Sequence, residues 1–219
     1  MPRPATKPRA SRIYPRRRRY HHGNLKQALI DATVHLIEEE GLEKVTVREA
    51  AKRLGVSSGA PFRHFASKRE LLTAVAEQTT RFLRDEVLKA IAEHADEGPL
   101  ERFRALGDAY MRWVTQHPTQ FRVVSDRSLV DFAGSESLRR DNDEMRSLMH
   151  TLLQEAQERG LLRAADLNAI VLTARAAAYG VARMYVDGHF AQWGVDDGDA
   201  ERAFDSVFDV FVAGLRAAN

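Results

Sequence analysis

From Asn24 onward the apolar residues Leu25, Ala28, Leu29, Ala32, Leu36 and Ile37 recur every three or four positions, the period of one helix face, and Gly41 supplies a stop. Two short periodic segments follow, Thr46 to Leu54 and Ser57 to Phe65, separated by Gly55 and Val56. Ser67 then opens a long amphipathic run that reaches about His94. Thr46 with Glu49, and Ser67 with Glu70, each fit the capping box, in which a hydroxyl and a carboxylate satisfy the free amides of a helix start. The pattern up to His94 therefore predicts helices one, two, three and four, the last much longer than the rest.

Glu97, Gly98 and Pro99 break this pattern. Helical periodicity resumes over Leu100 to Gln116, Pro118 to Val124, Glu136 to Arg159, Asp166 to Asp187 and Asp199 to Arg216, with loops around Gly134 and from Gly188 to Gly198. No segment reads as a convincing strand, and no internal repeat is apparent. The expected fold class is all-α: a three-helix head containing a helix-turn-helix, joined by a long helix to a helical bundle. With 219 residues the natural division is one small head on one larger body. We place a basic arm over 1–20, the head over 21–72 with its helix-turn-helix at 46–65, and the body over 73–219.

Charge sharpens that division. The net +2 conceals an asymmetry: residues 1–72 hold 16 lysines and arginines against 7 acids, and the remainder holds 17 against 24. A cationic end attracts a polyanion by releasing its condensed counterions, and an acidic body keeps the rest of the molecule off it. Residues 1–20 have eight basic side chains, four prolines and no acid, a composition that cannot build a core. Such an arm either lies along the minor groove and neighbouring phosphates or stays solvated. The rest of the chain, with 44% hydrophobic and 29% charged residues overall, has the make-up of a soluble globular protein.

Several function classes drop out. The absence of cysteine excludes disulfides, thiolate zinc sites and a cysteine nucleophile, and it fits a reducing cytoplasm. No apolar run approaches the ~20 residues that span a bilayer, and the basic N-terminus is not followed by a signal-peptide core, so a cytoplasmic protein without a membrane partner is expected. There is no Walker loop, no Gly-x-Ser-x-Gly elbow and no His-Glu-x-x-His helix. His21 and His22 would diverge on a helix, and Asp196, Asp197 and Asp199 lack the ligand order of a calcium loop. No catalytic residue, metal site or cofactor is expected.

A helix-turn-helix needs a bracing helix, a tight turn and a second helix able to enter the major groove, and residues 46–65 meet that description. Val47, Ala50, Ala51 and Leu54 can face inward, Val56 can pack under the turn, and Phe65 can anchor the far end. The run Val56-Ser57-Ser58-Gly59-Ala60-Pro61-Phe62-Arg63-His64-Phe65-Ala66-Ser67-Lys68, with Gly41, Val45-Thr46-Val47-Arg48 and Ala50-Ala51 before it, resembles the head of the TetR/AcrR family of transcriptional regulators. The resemblance covers about residues 24–72, and Tyr20 to Leu25 is similar to a branch with a Trp-His-Gly-type ligand domain. It implies DNA contact through Ser57, Ser58, Ala60, Pro61, Phe62 and His64, with Thr46, Arg48 and Lys68 on phosphates. Hydroxyl and cationic groups at helix starts suit anionic oxygens. Phe62 replaces the family's usual tyrosine, which removes a phosphate-binding hydroxyl. Ala60 and Pro61 offer base edges no hydrogen bond, leaving methyl contacts, Arg63, His64 or groove shape to read sequence. Taken residue by residue, Phe62 also suits a core, Ser57 a plain cap and His64 a buried element end.

In the body, Phe204, Val207, Phe208, Phe211, Val212 and Leu215 form a stripe wider than a small bundle hides, and the preceding helix offers the small residues Ala178 and Ala182 for close helix approach. A two-fold interface built on Ala178, Ala182, Phe204, Val207, Phe208, Phe211 and Leu215 follows, setting two reading segments about one DNA turn, ~34 Å, apart. Packing within one chain is the alternative. Phe103, Tyr110, Trp113, Phe121, Met149, Arg175 and Tyr179 are the candidates to line an inducer pocket, a role the resemblance implies. Arg175 lies in an otherwise apolar helix, where a guanidinium requires a carboxylate, solvent at a dimer edge, or an anionic ligand. Where the branch has Trp-x-x-x-His-Gly, this chain has Arg175, Tyr179 and Gly180. The expected partners are double-stranded operator DNA, a second copy of the chain and a small-molecule inducer. The expected function is a ligand-released repressor, with a ligand-dependent activator and a non-specific architectural protein as alternatives.

Overall fold

The computed structural model describes residues 24–216; the basic arm over 1–20 and the stretch through Gly23 lie outside them. The described residues form helices α1 (Leu25–Glu40), α2 (Val47–Leu54), α3 (Lys68–Glu93), α4 (Pro99–Gln116), α5 (Pro118–Ser125), α6 (Glu136–Glu158), α7 (Leu167–Val186) and α8 (Ala200–Leu215). Among them there is no strand, only an isolated antiparallel bridge between Leu162 and Arg216. The all-α class read from periodicity is the class observed. The chain divides into two compact units with the boundary between Leu71 and Leu72.

In the first unit α1 packs against α2, burying Leu29, Leu36, Val45, Ala50 and Phe65 at 3% exposure or less. Local chemistry sets the ends of these elements. Asn24 caps α1 by accepting the Gln27 N–H, and Gly41, at φ 90°, stops it. Thr46 caps α2 by accepting the Glu49 N–H at 3.0 Å. At the other end of α2, Gly55 sits at φ 67° in the left-handed region. There its N–H reaches Lys52 O and the Val56 N–H reaches Ala51 O, the paired bonds that close a helix and reverse the chain. Ser67 accepts the Glu70 N–H at 3.1 Å, and the Glu70 carboxylate accepts from Ala66 N–H at 2.8 Å. The second capping box thus closes one residue earlier than the motif prescribes.

One expected element is much shorter than its pattern suggests. Of the segment Ser57 to Phe65, only Ala60–Arg63 is helical, and it is a 3-10 turn. Pro61 is the physical reason. It has no N–H to reach the Ser57 carbonyl, and it disfavours α geometry at Ala60. Gly59 adds a low helix propensity. Regular i to i−4 bonding reappears only at Phe65, whose N–H reaches Pro61 O at 3.0 Å.

In the second unit α4 packs against α6, α7 and α8, while α7 packs against α6 and α8. Phe103, Met111, Val114, Phe121, Leu153, Phe190 and Phe204 are among the residues of one shared core. Gly107 permits close approach at its centre, because a Cβ there would stand 2.8 Å from the Phe204 ring. Ion pairs tie the helices together: Arg84 to the buried Asp141 at 2.9 Å and, nearer the surface, Arg102 to Glu155 and Arg104 to both Asp205 and Asp209.

His117, at the junction of α4 and α5, is buried at 3% exposure beside the rings of Phe82 and Trp113. Burial pushes its imidazole from 6.5 down to about 4. The folded state therefore holds it neutral where the unfolded chain would protonate it. Its contribution is complete above pH 6.5 and declines as the pH falls toward about 4, at no more than about 1.4 kcal/mol per pH unit. Urea midpoints between pH 7 and pH 5 should fall less steeply in His117→Phe than in the wild type. Identical slopes would remove this assignment.

Candidate functional site

The turn between α2 and α3 is a small framework with an exposed rim. Val47, Ala50, Ala51 and Phe65 point into the head core, while Thr46, Arg48, Ser57, Ser58, Phe62 and His64 are exposed and Ala60 is half-buried. Phe62 is 43% exposed, an unusual position for a large ring that could have been plain core. The Arg48 guanidinium stands 5.9 Å from its centroid, so a cation and an aromatic face share one patch. His64 is exposed as well, which removes the reading of a satisfied core histidine. Exposed Arg63 adds a second cation that the site expectation had left at its margin. The patch presents hydroxyls, guanidiniums, an imidazole and a ring edge, a set able to donate to phosphate or base oxygens and to pack on sugars.

Two nominated contacts stand differently from the rest. Pro61 is buried and supports the turn from inside, because its ring is the part of the 3-10 segment that faces the head core. Lys68 is half-buried, and its Nζ donates to the Leu42 carbonyl at 3.0 Å. It braces α3 against the loop after α1. The charge of the described head is also nearly balanced, eight lysines and arginines against seven acids over residues 24–72. Part of that balance is internal, since Arg53 is bound to Glu39 and Glu40, and its hydrogen bond to Glu39 raises its pKa. The strong positive excess of the N-terminal third resides in the arm, outside the described residues.

The seven pocket candidates separate in space. Phe103 and Met149 line an apolar cavity of about 30 Å³, together with Gly107, Ala174, Ala178 and Phe208. That volume admits a water molecule or two and no larger guest. Trp113 instead packs beside His117. Tyr110, Phe121, Arg175 and Tyr179 form a separate cluster: Arg175 donates to the Tyr110 hydroxyl at 3.2 Å and lies 5.3 Å from the Tyr110 and Tyr179 rings, and the Phe121 and Tyr179 rings are 5.8 Å apart. Arg175 is itself exposed, so solvent meets the rest of its guanidinium. Arg127, exposed in the loop after α5, stands over the Phe132 ring at 3.5 Å.

The proposed interface stripe on α8 also resolves into two faces. Phe204 and Phe208, at 4% and 7% exposure, and Ala182, at 0%, are internal to their own chain. That corrects their assignment to a dimer surface: on α8 the i, i+4 row through 204, 208 and 212 is the one that meets α4 and α7. Val207 is exposed, and Ala178, Phe211 and Leu215 are half-buried. Leu172 on α7 and Val210 on α8, at 69% and 74% exposure, are the largest additions to this outer face. Neither is among the residues expected there from the sequence.

Comparison with known proteins covers both units. The model described as bacterial regulatory proteins, tetR family, matches residues 29–75, and the one described as tetracyclin repressor-like, C-terminal domain, matches residues 103–211. The nucleoid occlusion factor SlmA of Vibrio vulnificus is 26% identical over 143 residues, 64% of this chain and 67% of that protein. The HTH-type transcriptional regulator BetI of Klebsiella pneumoniae is 36% identical over 81 residues, covering 37% of this chain and 42% of that one. A solved structure from Rhodococcus, of a protein with unknown function, superposes with a TM-score of 0.75 at 26% identity, covering 90% of this chain and 98% of that one. An exposed turn between two helices of the head, on described residues that form helices and no strand, together with matches of both units to models of one kind, places the protein in the TetR family of DNA-binding transcriptional regulators.

Proposed function

We propose that this regulator is a sequence-specific repressor that occupies its operator as a homodimer and leaves it when a small molecule binds the helical body. The observation that carries the reading is the protrusion of Ser58, Phe62 and His64 from one braced turn. Thr46, Arg48, Ser57 and Ala60 flank them, with Lys68 contributing a remaining N–H to a phosphate. The dimer is supported by the outer face of α7 and α8, where Leu172, Val207 and Val210 leave apolar surface in water. Covering such surface is favourable by about 25 cal/mol per Å², and a second copy presents the same face by symmetry. An operator partner puts the protein in the cytoplasm; among the described residues no helix is long and apolar enough to cross a membrane.

The sensing half is supported by the apolar cavity beside Phe103 and Met149, which would have to open from about 30 Å³ to hold a ligand, an opening that can be coupled to one of two head spacings. A ligand-dependent activator would share every one of these features and differ only in which state binds DNA. Competition binding separates the readings. The repressor should prefer its own upstream region over bulk DNA by ~10³ or more at physiological salt, and a metabolite that raises its melting temperature should weaken that preference. Near-equal affinity for both DNAs would instead fit an architectural protein, and tighter operator binding with ligand would fit an activator.

A further inference from the structure

We infer that the N-terminal arm, above all the run Arg16, Arg17, Arg18 and Arg19, is a second DNA-binding element that supplies most of the phosphate contacts of the operator complex. The inference rests on the DNA-binding reading of the head and is independent of ligand release. The arm lies outside the described residues; what points to it is a shortage of cations on the head.

A protein that holds a duplex at cellular salt neutralises roughly six to ten phosphates. The head over residues 24–72 has eight lysines and arginines against seven acids, and several of those cations are already engaged. Lys52 is paired with Glu49 at 3.2 Å, Arg53 is paired with Glu39 and Glu40, and the Lys68 Nζ donates to the Leu42 carbonyl at 3.0 Å. On the exposed patch around Ser58, Phe62 and His64 the cations are Arg48 and Arg63, two per protomer and so four in a two-fold complex. The body cannot make up the difference. Residues 73–219 hold 17 basic side chains against 24 acids, a balance that repels a polyanion.

The arm has what the head lacks. Its 20 residues hold eight basic side chains and no acid, and four of the eight are consecutive. With no carboxylate in the arm itself, each of these cations finds a counter-charge only outside it. Phosphate offers paired oxygens that match the guanidinium fork. The root of the arm is also in the right unit: Asn24 caps α1, and α1 packs against the turn Ala60–Arg63. Arg19 and Arg16 precede Asn24 by five and eight residues. At no more than about 3.6 Å per residue the run reaches up to about 29 Å from that cap, across duplex that carries one charge per ~1.7 Å of axis. Contacts of this kind add affinity through counterion release and carry no sequence preference.

Salt-dependent binding by the full-length protein tests the assignment. The probes are a duplex of the protein's own upstream region and a scrambled duplex of the same length and composition. Glutamine at Arg16, Arg17, Arg18 and Arg19 together should flatten the slope of log affinity against log salt by about two units or more, and lower affinity for both duplexes about tenfold or more near physiological salt. The ratio between the two duplexes should stay within about threefold, and the melting temperature should not change. Lysine at the same four positions should keep most of the affinity, because the charge is retained. Three results would overturn the assignment: an unchanged slope in the glutamine variant, tighter DNA binding by it, as expected of an arm that neutralises the acidic body, or a lost preference with the slope intact. The reading turn is judged separately. Equal affinity of the wild type for both duplexes rejects sequence-specific reading but keeps the arm if glutamine still flattens the slope, whereas a kept preference with an unchanged slope rejects the arm alone.

Discussion

Alanine at Ser58, Phe62 and His64 together is expected to lower operator affinity by roughly 10²- to 10⁴-fold, with each lost contact worth about 1–3 kcal/mol. All three side chains are exposed, so the same variant should melt within a few degrees of the wild type. Loss of binding without loss of fold is what distinguishes a reading surface from a packing surface. Phe62 should account for a large share, because its ring is held beside Arg48 and its removal also loosens that cation. The salt dependence offers a second measure. Deleting side chains that touch bases leaves the slope of log affinity against log salt nearly unchanged, whereas deleting phosphate contacts flattens it by about one unit per contact. Arg48→Ala should do the latter. A triple variant that still protects the same operator in a footprint would end the case for this turn as the reading element.

Arg84→Met is expected to destabilise the body by about 3–5 kcal/mol, the usual result of leaving one member of a buried pair alone. Asp141 is entirely buried, and its Oδ1 takes Arg84 at 2.9 Å, with only the largely exposed Arg140 beside it at 3.3 Å. Its second oxygen, Oδ2, has no hydrogen-bond partner among the described residues. The carboxylate thus depends on Arg84, which links α3 to α6. At 2–4 °C per kcal/mol for a chain of this size, the melting temperature should fall by roughly 10 °C. The double variant Arg84→Met with Asp141→Leu should recover most of that loss, since an apolar pair of similar volume avoids desolvating a charge. A single variant that melts like the wild type, or a double variant no better than the single, would show that the pair is not what holds this contact.

How much of this was legible beforehand follows from the range of each interaction. The ends of α1 and α2 were readable because Asn24, Gly41, Thr46 and Gly55 act on backbone groups a few residues away. The reading turn was readable in place and in its exposed residues, but not in its form. The segment Ser57 to Phe65 reads as a full helix, and the single proline at 61 reduces it to a 3-10 turn. Here one local rule overrode another.

On its own, the amino-acid sequence determined the all-helical class, the boundaries of α1 to α8 to within a residue or two, and the place of the turn between α2 and α3, since periodicity, caps and breakers operate within one or two helical turns. Tertiary structure alone decided which row of the α8 stripe is core, that Arg175 lies beside Tyr110, and that Asp141 is buried under Arg84. Those outcomes depend on contacts between residues far apart in the chain. A helix with apolar residues on more than one face carries no mark of which face its neighbours will cover.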